Sequence, residues 1–139
     1  MKVREIMTPN PASCTPETRL PEAARTMVQR DCGALPIITL AGTGVVGIVT
    51  DRDIVIRAVA QGRNPLELTA ESCMTSPAAT IAEDADVDEC VKLMETKQIR
   101  RVPVVDAHGK LVGIVAQADI ARHESRKDTG ELVRDLSKP

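Results

Sequence analysis

The chain has 139 residues, a formal net charge of −2, 42% hydrophobic and 27% charged residues, and no Phe, Tyr or Trp. That length supports one compact unit with a real core, and the mixed charge describes a globular rather than a disordered chain. The weak negative charge gives no hold on nucleic acid, and the missing aromatics remove the platforms on which single-stranded bases stack, so nucleic-acid binding is not expected.

The N-terminal run MKVREIMTPN lacks the apolar stretch of a signal peptide. No segment approaches the ~18 apolar residues of a membrane span. Cys14, Cys32, Cys73 and Cys90 are scattered without a C-x-x-C pair, and only His108 and His123 accompany them. Reduced thiols, no metal site and a reducing cytoplasm are the expectation.

Taken in order, the elements repeat. A β-prone stretch, PASCT, leads through a Pro-Glu turn into an amphipathic helix on which Leu20, Ala23, Ala24 and Met27 recur at helical spacing. The apolar strand ALPII, a Gly-containing turn and the strand VVGIV form a hairpin, and a second helix runs from about Asp51 to Gln61. In QGRNPLELTAES, Gly62 stops that helix and Asn64-Pro65 makes a turn. The pattern then restarts with AATIA, a helix carrying Val87, Cys90, Val91 and Met94, the strands RVPVV and LVGIV, and a helix from about Gln117 to Glu124. The polar remainder, HESRKDTGELVRDLSKP, is expected as a frayed helix or tail.

Sliding the chain over itself by 67 residues places Met7-Thr8 on Met74-Thr75, Glu22 on Glu89 and Pro36 on Pro103. After the turn, where the first copy is one residue longer, the offset becomes 66, and the stretch GIVTDRDI at 47–54 meets GIVAQADI at 113–120. The chain is therefore two copies of one β-α-β-β-α unit, divided as residues 1–65, 66–125 and a tail at 126–139. One copy leaves a sheet face uncovered and is marginal alone; two packed sheet to sheet bury both faces.

Met-Thr before a strand, a helix, an apolar strand holding a proline, a Gly turn and GIVT-x-x-DI leading into a helix, all in tandem, resemble the cystathionine-β-synthase-type domain pair, the CBS or Bateman module, of the stand-alone bacterial type. The resemblance covers residues 1 to about 124. It implies an α/β fold of two repeats about a pseudo-twofold axis and further pairing into a homodimer. It also implies that an adenosine-containing ligand such as AMP, ADP, ATP, NAD or S-adenosylmethionine binds in the cleft between the repeats, and that the bound state regulates another protein. No cofactor beyond that regulatory ligand is required.

In this pattern Thr50 and Asp53 stand where a strand passes into a helix, a place whose free N–H groups favour a phosphate or hydroxyl-rich ligand. A carboxylate there can accept from both hydroxyls of a ribose. The same Thr-x-x-Asp spacing is also that of a capping box, and both readings stand. The resemblance completes the Thr50/Asp53 pocket with Thr75, Ala79, Ile99, Arg100 and Arg101. The arginines offer donor forks suited to phosphate oxygens, which favours a nucleotide over S-adenosylmethionine.

The second pocket matches Asp119 with Thr8, Ala12, Cys32, Gly33 and Ala34. It has Ala116 in place of the threonine and no cation, and is expected to be the weaker. Arg52, Arg57 and Arg63 read as a solvated helix face. No Walker or dinucleotide fingerprint, H-E-x-x-H or G-x-S-x-G occurs, so an enzyme is not expected. The alternative to a nucleotide sensor is a ligand-free dimerisation or interaction module in which Thr50 and Asp53 are helix caps.

Overall fold

The structure, a computed structural model, describes residues 1–41 and 44–126. The expected tail, beyond its first residue, lies outside the described residues. The elements run β1 (Thr8–Pro9), α1 (Leu20–Gln29), β2 (Ala34–Ile38), β3 (Val45–Thr50), α2 (Asp51–Ile54), β4 (Ile81–Ala82), α3 (Val87–Lys97), β5 (Arg101–Val105), β6 (Leu111–Ala116) and α4 at residues 117–126.

Both long helices form where apolar spacing and local chemistry agree. On α1, Leu20, Ala23 and Met27 are buried, and Pro21 sits in the first turn, where its missing N–H costs nothing. On α3, Val87, Cys90 and Met94 are buried and Asp86 caps the helix by accepting from Asp88 N–H. Each hairpin pairs as its sequence predicts, with Pro36 opposite Ile48 and Pro103 opposite Ile114. Strand alternation puts Leu35 and Ile37 on one face of β2 and Pro36 on the other, yet all three are fully buried. Val102, Pro103 and Val104 repeat this on β5, so both hairpins are covered on both sides.

PASCT shrinks to one bridge between Cys14 and Ile37, because the flanking Pro11 and Pro16 have no N–H to extend a ladder. The helix expected from Asp51 begins as α2, widens into a π-helical turn at Val55–Val59 and ends before Gly62, whose φ is +73°.

The two repeats also exchange the Met-Thr segments that precede PASCT and AATIA, which the repeat pattern does not announce. β1 pairs with β6 of the other copy, Thr8 opposite Ile114 and Pro9 opposite Gly113. Thr75 in turn bridges to Ile48 of β3, with Thr75 N–H to Ile48 O at 2.9 Å and Ile48 N–H to Thr75 O at 3.1 Å. Val3 is buried in the second core with Ile81, Val102, Val104 and Val115. Ala70 and Cys73 are buried in the first with Leu20, Leu35, Ile37 and Val49. Each core is thus sealed by residues that sequence alignment assigns to the other copy. Gly47 and Gly113 lie at the two crossings, as close strand approach requires.

All four cysteines are free thiols, with Cys14, Cys73 and Cys90 buried and Cys32 half-buried. Burial pushes the Cys14 and Cys90 thiols up to about 11 and raises that of Cys73 as well. Iodoacetamide at pH 8 is therefore expected to alkylate Cys32 first and the other three only on unfolding. Peptide mass mapping after a short exposure checks this, and equal labelling of all four contradicts the burial.

Candidate functional site

Thr50 ends β3 and its side chain caps α2. Asp53 N–H donates to Thr50 Oγ1 at 3.0 Å, while Thr50 N–H donates to Asp53 Oδ2 at 2.9 Å. The capping box is therefore formed in full. The same two residues also line a cleft of about 1030 Å³, so capping does not exhaust them.

Thr75, Ala79, Ile99, Arg100 and Arg101 line this cleft too. All seven residues that the resemblance assigns to the first pocket line this one cleft, from both repeats. β3 delivers Thr50, and the segment that bridges to Ile48 delivers Thr75. Gln98, at the end of α3, adopts a left-handed conformation (φ 55°), and the chain turns there into Ile99, Arg100 and β5. Both arginines line the cleft.

The lining carries more positive than negative charge. Arg52, Lys97, Arg100 and Arg101 stand against Asp51 and Asp53. Sequence reasoning missed Lys97 and Asp51 and read Arg52 as solvated; only their positions beside Thr50 and Ile99 hint at the cleft. Arg101 Nη2 and Asp51 Oδ2 also flank Gly33, each 2.9 Å from where a Cβ would lie.

Arg57 is a correction. Instead of joining a solvated face, its Nη1 donates to Met74 O at 2.6 Å and its Nη2 to Thr75 Oγ1 at 3.3 Å. Its Nε lies 3.9 Å from Asp53 Oδ1, a loose pair. Arg57 ties the helix that follows Thr50 to the exchanged strand, a long-range contact with no local sequence signal.

The second pocket is not assembled in the same way, and none of its six residues lines the cleft. Ala12 and Cys32 pack against the first core, Ala34 is buried, and Thr8 lies exposed on β1. Cys32 borders a separate, mainly apolar hollow of about 350 Å³ with Met27, Val28 and Ile54. Asp119 is buried and accepts from Ala116 N–H at 2.8 Å, so half of the capping box survives the loss of the threonine. Its other oxygen takes the guanidinium of Arg122.

Among the described residues no cluster of three or more His, Cys, Asp or Glu is placed to hold a metal ion, and no helix is long and apolar enough to cross a membrane. His108 lies in the turn 106–110, where Asp106 accepts from the N–H groups of His108 and Lys110. Those bonds hold the Asp106 carboxyl below the usual range.

Two hairpins that exchange their preceding segments and flank a cleft define a tandem domain pair of the α/β class. The CBS domain family matches at residues 3–59 and again at 70–126, and the chain belongs to that family. It is 37% identical over 136 residues to hypoxic response protein 1 of Mycobacterium tuberculosis, covering 98% of this chain and 94% of that one. It is 42% identical over 121 residues to the uncharacterized protein MK0525 of Methanopyrus kandleri, covering 87% of this chain and 59% of that protein's length. Among solved structures, the CBS domain pair of protein MJ0100, in complex with 5′-methylthioadenosine and S-adenosyl-L-methionine, superimposes with a TM-score of 0.82 at 34% identity, covering 91% of this chain and 98% of that one.

Proposed function

We propose that the chain is a regulatory module that binds an adenosine nucleotide of the AMP, ADP, ATP or NAD class in the cleft beside Thr50 and Asp53 and signals its occupancy to a partner protein. One observation carries this reading: a single cleft, formed by both repeats, gathers a ribose-competent carboxylate and an excess of cations. In it Asp53 receives the ribose hydroxyls, Ile99 offers an apolar contact to the base, and Arg100 and Arg101 receive phosphate oxygens. The adenosyl ligands bound to the CBS pair of MJ0100 support the adenosine part. The surplus of Arg and Lys favours a ligand that adds phosphate to it. The cleft's volume is at the upper end of the roughly 300–1,000 Å³ of small-molecule pockets. Signalling requires that the ligand bind one arrangement of the halves better than another.

The module acts by binding rather than by catalysis. The four free thiols fit a reducing cytoplasm. A homodimer fits the aliphatics left uncovered on the first repeat's helices, among them Val28 at 82% exposure and Val55 and Val59 at 56%. A second reading, a ligand-free interaction module, is favoured by the completed capping box, which satisfies Thr50 and Asp53 without any ligand.

Isothermal titration of AMP, ADP, ATP, NAD and S-adenosylmethionine separates the two. Asp53→Asn keeps an oxygen for the cap and removes the charge. It is expected to weaken nucleotide binding about 10- to 100-fold, the range for lost hydrogen bonds to a charged group. Arg100→Ala with Arg101→Ala is expected to weaken ATP more than S-adenosylmethionine. No heat from any of the five leaves the interaction module.

A further inference from the structure

The internal repeat lets each position be compared with its own counterpart at an offset of 66 residues, and one pair departs from the pattern at the carboxylates. Asp53 corresponds to Asp119, Thr50 to Ala116, Ile56 to Arg122 and Arg57 to His123. In the first repeat Ile56 has no charge to offer, and Arg57 is drawn toward Met74 O and Thr75 Oγ1. Asp53 therefore keeps its Oδ1 only loosely paired, at 3.9 Å, with its side chain 19% exposed on the cleft. In the second repeat both oxygens are taken, Oδ2 by Ala116 N–H and Oδ1 by Arg122, and the side chain is 9% exposed.

We propose that Arg122 is a built-in plug whose guanidinium sits on Asp119 where ribose hydroxyls sit on Asp53, so that the chain offers one nucleoside site rather than two. The inference rests on the nucleotide reading for its account of Asp53. It adds that the second half-site is filled by the chain's own cation rather than merely worn down by the loss of a threonine. The class of ligand that the emptied half-site takes also follows. The strand start on that side, Cys32-Gly33-Ala34, has no cation. Arg101 reaches Gly33 only in company with the Asp51 carboxylate, which offsets its charge. A carboxylate without net positive surroundings selects a neutral or cationic nucleoside over a polyphosphate.

Arg122 is 63% exposed, so its replacement leaves the core intact. The test titrates 5′-methylthioadenosine into the wild type, into Arg122→Ile, which copies the first repeat, and into Arg122→Ile with Ala116→Thr. Thermal melts by circular dichroism confirm that each variant is folded. The double variant is expected to take up one more equivalent of 5′-methylthioadenosine per chain than the wild type. The converse variant, Ile56→Arg, is expected to plug the first site and lower ATP affinity about tenfold or more. A folded double variant that binds no more nucleoside than its parent overturns the plug, even while wild-type ATP binding upholds the nucleotide reading. A gain in the double variant supports the plug even where the wild type ignores ATP, which is the separate failure of that reading.

Discussion

Gly47→Val is expected to lower the unfolding free energy by about 3 kcal/mol or more, at or beyond the upper end of overpacking costs. A Cβ at this position would lie 2.9 Å from Met74 Sδ and 2.9 Å from Thr75 O. The thioether can swing aside. The carbonyl cannot, because it accepts from Ile48 N–H at 3.1 Å, one residue along the same strand. Either the exchanged strand leaves β3, forfeiting both of its bonds to Ile48, or β3 bends away from it. The cleft is expected to fail along with the fold, since Thr75 lines it and Arg57 is anchored on Met74 O. Gly44→Ala is the control. Its Cβ would meet only Thr39 Cγ2, at 3.8 Å, and a change within about 0.5 kcal/mol is expected. Urea unfolding of the three proteins checks this, and a valine at 47 as stable as the control would mean that the crossing is not tight.

The sequence made the hairpins and the helices readable because their signals are local. ALPII and VVGIV are separated by a short Gly-bearing turn, and Leu20, Ala23 and Met27 mark one face of a helix without reference to the rest of the chain. Residues that line the first cleft could be named because the family resemblance sets Thr75, Ala79, Ile99, Arg100 and Arg101 beside Thr50 and Asp53. Arg57 was not legible. Its partners are 16–18 residues away in the segment that crosses from the next repeat, and a lone arginine on a short helix looks the same whether it meets solvent or a carbonyl. The condition of Asp119 was half legible: Ala116 announces a missing hydroxyl, but Arg122 counts as one more helix charge until its guanidinium is seen on the carboxylate. The exchange of the Met-Thr segments was invisible for a deeper reason. Two copies of one sequence dictate the same contacts whether each segment stays at home or crosses over.

Deleting residues 1–9 gives that choice a measurable consequence. The deletion is expected to destabilise the second repeat, not the first, by about 3 kcal/mol or more. It exposes the pocket filled by the fully buried Val3, a side chain worth roughly 1.5–3 kcal/mol. It also removes the bonds from Val3 N–H to Ala85 O at 2.8 Å and from Arg4 N–H to Glu83 O at 3.0 Å, and takes β1 off β6. Amide hydrogen exchange locates the damage, with protection expected to fall on β5 and β6 and to survive on β2 and β3. Loss confined to β2 and β3 would mean that each strand serves its own repeat. Val3→Asp makes the same test with one side chain, by placing an unpaired charge among Val102, Val104 and Val115. The arrangement also bears on signalling. Because Thr75 belongs to the segment that seals the first core and lines the cleft shared with Arg100 and Arg101, a ligand held there touches both halves through elements that neither half can release without opening its own core. On the proposed reading, occupancy then favours one arrangement of the repeats over another.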